Sequence, residues 1–455
     1  MKKLTIVVSM ILVLSFLLTA CATPTPETII QTVEVPGETI IKTVEVPGET
    51  VIQTQEVIKE VPAERTEVRL SGWASSPSET ALLESLLYKF SVANPDIVVK
   101  YEPITGDFWA TIKTMVASGT EPDVYYMDIF QFPAFAKDEV LLALDDLMAQ
   151  AGTNKADFIP SLLESFSSGG MVYGIPKDFN TLGMFYNKDL FDKAGLEYPT
   201  DAWTWDDLKN AATKTTDLSD ANKPVYGFCV PADAGRFPVF AFQNGGSIMN
   251  EDASDTTLDS AETIAAGEYY TSFRKDKIGA IPADMGEGWQ GTLFGKGQCA
   301  MVYEGGWLIP YLTQQFPNTK YGVSQLPAGP GGKGNLIFTV AYSIAKDSKN
   351  PEAAYRVVEF LTNAESQQTV LESGFALPTR VALQESDYLK NNPNSAAIFN
   401  GALEGARPFM WGLAGSDVNE QMGKALESVY LKDTSVADAF KNAAEIIRQK
   451  IAELK

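Results

Sequence analysis

The chain has 455 residues, 36 basic against 58 acidic, no histidine and a net charge of -22. That balance excludes a surface built for nucleic acid or for anionic lipid headgroups, both of which need positive charge. The missing histidine removes the commonest general base and the commonest metal ligand. No phosphate loop, nucleophile elbow, CxxC pair or zinc spacing occurs, so no cofactor, no metal site and no catalytic residue is expected.

At the start, Lys2 and Lys3 precede an apolar run from Leu4 to Leu18, then Thr19, Ala20 and Cys21. Charge, apolar stretch and small residues in that order predict a secretion signal over residues 1–20. The run is short for a membrane span and is promptly followed by polar sequence. Leu18-Thr19-Ala20-Cys21 resembles the lipobox of bacterial lipoproteins. The resemblance implies cleavage before Cys21 and a diacylglycerol on its thiol; the alternative is an ordinary signal with an incidental cysteine. Two or three acyl chains hold a protein on a membrane where one gives only marginal binding. The expected location is therefore the outer face of the cytoplasmic membrane, with the lipid anchor as the only membrane contact.

Residues 21–63 read as a tether. Thr32–Lys42 and Thr43–Gln53 repeat Thr-Val-Glu-Val-Pro-Gly-Glu-Thr, and a decayed third copy begins at Thr54. β-branched residues favour extended backbone and Pro-Gly pairs punctuate it. The expectation is an unpaired stalk, about 140 Å at full stretch and about 35 Å as a coil. A small β-structured spacer is the competing reading.

From Glu64 onward about 390 residues remain, more than one hydrophobic core, so two lobes are expected. Glu67–Trp73 reads as a strand, and Ser78–Phe90 as a helix with a capping serine. Ile97–Tyr101 is a second strand, Phe108–Ala117 a second helix and Pro122–Met127 a third strand. This alternation predicts an α/β fold with a parallel sheet, whose ligands sit beyond the carboxyl ends of the strands. Asn350–Leu361 and Val436–Leu454 read as amphipathic helices. Cys229 and Cys299 could pair in an oxidising compartment or remain buried thiols.

Several segments then match one family in order. They are Phe90–Val99 with its Asn-Pro, Ala117–Val124 with Glu-Pro-Asp-Val, Tyr173–Pro176 followed by Met184–Phe191, Trp203–Leu208, and Phe294–Trp307. The body resembles the extracytoplasmic solute-binding proteins of ABC transporters, in the carbohydrate-binding family that includes maltose-binding protein. The resemblance implies two α/β lobes, three hinge crossovers and a ligand cleft between the lobes. Crossovers are expected near Pro176–Thr181, Phe338–Ala341 and Leu377–Arg380. Lobe one would comprise 64–178 plus 339–377, and lobe two 181–337 plus 379–455.

A sugar offers flat apolar ring faces and a rim of hydroxyls. Its site needs aromatic side chains for the faces and charged or amide partners for the rim. Candidates on loops at strand ends and crossovers are Trp73, Ser75, Ser76, Glu79, Asp128, Phe130, Asp178, Asn180, Trp289, Glu304, Trp307, Tyr342, Arg380 and Trp411. Each has a plainer alternative. Trp73 could cap the sheet, Asp128 and Asp178 could cap turns, and Arg380 could tie a crossover to a carboxylate. Trp203 and Trp205, at a helix start, are expected to be packing residues.

The reading that follows is a monomeric, non-enzymatic sugar binder that closes on its ligand and delivers it to ABC permease subunits served by a separate ATPase. The alternatives are a binder of glycerol phosphate, peptide or polyamine on the same fold, and a secreted glycosidase, which would need two carboxylates at a set separation.

Overall fold

The computed structural model describes residues 40–41, 56–57, 65–73 and 76–454. Met1–Glu64 and Arg65–Lys455 are separate compact units. In the first, Ile40–Ile41 pairs antiparallel with Glu56–Val57, Ile40 opposite Val57. The repeat, expected to be unpaired, therefore pairs at these positions. The signal, Cys21 and the remainder of the tether lie outside the described residues.

The body alternates strands and helices as the apolar spacing predicts. It begins β1 (Thr66–Ser71), α1 (Pro77–Ala93), β2 (Ile97–Tyr101), α2 (Phe108–Ser118) and β3 (Val124–Asp128). The cap of α1 is Ser76, not Ser78: its side chain accepts the Glu79 N–H, and Pro77 takes the first turn, where its missing N–H costs nothing. Next come β4 (Gly174–Asn180), β5 (Gly183–Asn187), α3 (Trp205–Thr215), β6 (Tyr226–Cys229), α4 (Ala261–Lys275), β7 (Gly279–Ala280) and β8 (Cys299–Glu304). The chain ends with α5 (Leu308–Gln315), β9 (Tyr321–Ser324), β10 (Asn335–Ile344), α6 (Pro351–Thr362), β11 (Ala406–Pro408), α7 (Gly415–Lys432) and α8 (Val436–Glu453).

Two sheets organise these elements. The first has the order β11-β10-β3-β1-β2, with β4 also paired to β10; the second has the order β7-β6-β8-β5-β9. β1 runs parallel to β2 and β3, as helical crossovers require. In the second sheet β6 is parallel to β7 and β8, while β5 is antiparallel to β8 and β9. The central strands are buried on both faces: every residue of β4, β5 and β8 is buried.

The three segments expected as crossovers lie side by side. Asn180 faces Phe338 and Phe179 faces Thr339 across β4 and β10. Phe179 and Leu377 exchange backbone hydrogen bonds at 3.1 and 2.9 Å. The body is thus two-lobed. Cys229 and Cys299 form a disulfide between β6 and β8. Trp205 is buried and stacks on Tyr269 at 4.0 Å, the packing role expected of it.

Candidate functional site

A cavity of about 420 Å³ is walled by Trp73, Ser76, Glu79, Asp128, Asp178 and Asn180 together with Trp289 and Trp307. It also takes in Pro77, Lys177, Tyr311, Phe338, Val340 and Phe375. The fold explains why they meet. Trp73 follows β1, and Asp128 closes β3, both at carboxyl ends of parallel strands. Ser76 and Glu79 open α1. Lys177, Asp178 and Asn180 belong to β4, Phe338 and Val340 to β10, and Trp307 and Tyr311 to the start of α5.

One buried carboxylate fixes both indoles. Glu304, the last residue of β8, has no exposed surface. Its Oε1 accepts the Trp289 indole N–H at 2.8 Å and its Oε2 the Trp307 indole N–H at 2.7 Å. Arg236 Nη2 reaches the same Oε2 at 2.6 Å, and Gln290 Nε2 donates to Oε1. Burial pushes the Glu304 carboxyl upward, while Arg236 and the indole N–H groups pull against that shift. Two glycines complete the mounting. A Cβ on Gly291 would lie 2.5 Å from the Trp289 ring, and one on Gly305 2.4 Å from the Trp307 ring. The Gly-flanked loops of the sequence are therefore the floors on which these tryptophans lie.

The aromatic walls are themselves packed. Trp73 meets Phe108 and Tyr126 edge-on at 5.3 and 5.0 Å. Trp289 meets Tyr311 at 4.9 Å, and Trp307 meets Phe338 at 5.7 Å. Such edge-to-face pairs hold ring planes in place before a ligand arrives.

The polar wall carries three carboxylates and one ammonium. Lys177 is buried, bonded to Asp178, 3.8 Å from Glu79 and 4.6 Å above the Tyr126 ring. Burial alone would lower its pKa, but Asp178 and Glu79 outweigh burial and hold it above the ordinary lysine value. The half-buried Asp128 accepts the Phe130 N–H at 3.2 Å. Burial pushes its carboxyl up to about 8, against the pull of that N–H and with a further push from Asp178. Asn180 Oδ1 accepts the Gly306 N–H at 3.0 Å, tying the first crossover to the loop carrying Trp307. Ser78 Oγ donates to Gln314 Oε1 at 2.7 Å, linking α1 of one lobe to α5 of the other.

Not every predicted residue reaches this cavity. Glu304 is placed beneath the wall, where it holds the indoles instead of facing the cavity. Tyr342 is buried one strand step further in, against Tyr126 at 5.5 Å, lining a separate void of about 30 Å³ behind Lys177. Phe130 points away, between Trp109 at 6.2 Å and Phe409 at 5.6 Å. Trp411 is core: it is buried, packs on Phe409 at 5.6 Å and donates its indole N–H to Asn419 at 2.7 Å. Arg380 is structural: it lies 4.0 Å above the Phe158 ring and bonds the Thr362 carbonyl at 2.8 Å and Asp157 at 3.4 Å. Burial lowers its pKa, which Asp157 partly offsets. Ser75 and Cys21 lie outside the described residues.

Sequence reasoning missed Lys177, Tyr311, Phe338, Val340 and Phe375. Two signals were present. Tyr311 stands four residues after Trp307, one helical turn on. Phe338 and Val340 share a strand face with Tyr342 by alternation.

A cleft between two α/β lobes, lined by fixed aromatic rings and buried charges, defines a protein that encloses a solute. The sequence pattern of the bacterial extracellular solute-binding proteins matches residues 74–368, and the chain belongs to that family. A binding protein of Brucella abortus (strain 2308) is 28% identical over 401 residues, covering 85% of this chain and 95% of the relative. A maltooligosaccharide ABC transporter solute-binding lipoprotein of Streptococcus pneumoniae (strain ATCC BAA-255 / R6) is 28% identical, covering 62% of this chain and 65% of the relative. An ABC substrate-binding protein from Listeria monocytogenes, solved in complex with cycloalternan, is 29% identical with a TM-score of 0.78, over 85% of this chain and 99% of that one. Members of this family bind; they are not enzymes. Among the described residues, no helix is long and apolar enough to cross a membrane and no cluster of potential metal ligands occurs.

Proposed function

We propose that this protein captures a sugar between Trp73 on one lobe and Trp289 and Trp307 on the other, and hands it to the permease of an ABC importer. The observation that carries the reading is the pair of hydrogen bonds that the two indoles donate to Glu304. It holds two flat apolar faces beside the Glu79, Asp128, Asp178 and Asn180 oxygens, the pairing that sugar rings and hydroxyls require. The sugars in the relatives' names support the same ligand class. A ligand that touches both lobes stabilises the closed form, which is what a delivery protein must signal.

Export and anchoring complete the proposal. Cys21 carries the lipid, residues 22–63 hold the monomeric body away from the membrane, and no residue performs chemistry. Lobe one comprises 64–178 plus 339–377, and lobe two 181–337 plus 379–455. A thermal-shift screen over mono- and oligosaccharides tests the ligand class. A sugar at 100 times its Kd should add about 2.7 kcal/mol of stability; no shift from any saccharide rejects a sugar ligand. Labelled oligosaccharides recovered uncleaved after incubation support binding without catalysis, and turnover overturns it. Mass spectrometry of the mature N-terminus checks Cys21: an unmodified thiol there removes the anchor.

A further inference from the structure

Three residues stand in register across the polar wall of the cavity. Asp128 on β3 and Asp178 on β4 both face Val340 on β10, the strand between them. Directly opposed residues of antiparallel strands present their side chains to one face, and all three line the cavity. The two carboxylates therefore flank that wall two strand spacings apart, about 10 Å. We infer that the sugar held here carries a protonated amine: an amino sugar whose ammonium sits at Asp128 while its rings lie against the tryptophans.

The two aspartates differ in what balances them. Asp178 is bonded to Lys177, which Glu79 also approaches at 3.8 Å. The one ammonium among the lining residues is thus already shared by two carboxylates. Asp128 has no such partner. Among the described residues its carboxyl accepts the Phe130 N–H at 3.2 Å, and no Lys or Arg pairs with it. A sugar hydroxyl would satisfy one of its oxygens but leave its charge uncompensated once the closing lobes expel water. An ammonium supplies the hydrogen bond and the countercharge together. The raised Asp128 carboxyl reflects the same deficit, burial with no cation beside it, and a seated ammonium draws it back to the carboxylate. Trp73, Trp289 and Trp307 favour a ring-bearing amine over a flexible polyamine, which would leave three flat faces bare. The net charge of -22 also favours the approach of a cation from solution.

The inference rests on the sugar reading, and one titration series separates the two. The purified protein is titrated at neutral pH with glucosamine, mannosamine, kanosamine and deacetylated chito-oligosaccharides, each beside its N-acetylated form and its hydroxyl parent, and with spermidine. At least one amine should bind at least about tenfold tighter than both of its neutral counterparts, the size of one charge-assisted hydrogen bond. Asp128→Asn keeps the shape and removes the charge, so that ratio should fall below about twofold. Asp128→Glu keeps the charge and should retain a preference that Asp128→Asn lacks. Equal or tighter binding of the neutral counterparts by the unaltered protein overturns the amine and leaves the sugar reading standing. An amine preference that survives Asp128→Asn overturns the seat at Asp128 and likewise leaves the sugar reading standing. Binding of spermidine alone, or of none of these compounds, overturns both.

Discussion

The Glu304 carboxylate accepts the Trp307 indole N–H at 2.7 Å from beneath, with no surface of its own in reach of solvent. A residue three positions earlier in the chain therefore sets the plane of a cavity-lining ring. Its own charge is balanced by Arg236 at 2.6 Å.

Removing that carboxylate should be costly twice. Glu304→Ala leaves the largely buried Arg236 guanidinium with only Asp233, 3.9 Å away, and should destabilise by about 3 kcal/mol. Urea denaturation measures it. Glu304→Gln keeps the shape and part of the hydrogen bonding, so its loss should be smaller, while sugar affinity falls as the indoles loosen. Native stability in Glu304→Ala would show that the carboxylate bears no such load.

Trp411 offers the opposite test. It is buried on Phe409 and is not among the residues lining the main cavity. Trp411→Ala should cost about 3–5 kcal/mol of stability and leave affinity per folded molecule unchanged. A stable variant with lost binding would put Trp411 at the ligand after all.

Asp128 predicts a pH effect. Its folded carboxyl is pushed up to about 8 by burial, against about 3.9 for an unfolded aspartate. Between these values the folded chain keeps a proton that the unfolded chain has lost. The contribution is therefore complete below about pH 3.9 and is lost as pH rises through about 8. Asp128→Asn cannot ionise. Between about pH 5 and about pH 9 the native Tm should fall further than that of Asp128→Asn. Parallel curves would place the Asp128 pKa in the ordinary range.

The disulfide predicts a stability difference. Cys229 and Cys299 are separated by 70 positions, and closing such a loop typically stabilises by about 2–4 kcal/mol. The Cys229→Ser/Cys299→Ser double variant should lose that amount. Alkylation of the denatured, unreduced mature protein should label neither residue; labelling of both would contradict the bond.

The strand-helix alternation of the first lobe was legible in the sequence because its apolar spacing is regular, and Trp73 and Asp128 followed from the strand-end rule. Trp411 was not, since a Gly-flanked tryptophan near the surface in sequence reads the same whether it faces a cleft or packs on Phe409. Lys177 was missed because lysine is normally a solvated residue. Asp178 is its neighbour in sequence, but only the meeting of β4 with α1 adds Glu79 and makes its burial tolerable. Arg380 was legible as a crossover residue, but its partner, the Phe158 ring, comes from a segment more than 200 positions away and has no local trace.

Isothermal titration of the purified protein and of Trp307→Ala with a saccharide panel decides whether the aromatic cleft is a sugar site. The unaltered protein should give saturable one-to-one binding to at least one saccharide, and Trp307→Ala should weaken it by at least about 2 kcal/mol while remaining folded. No binding heat from any saccharide, or equal affinity in Trp307→Ala, would contradict it.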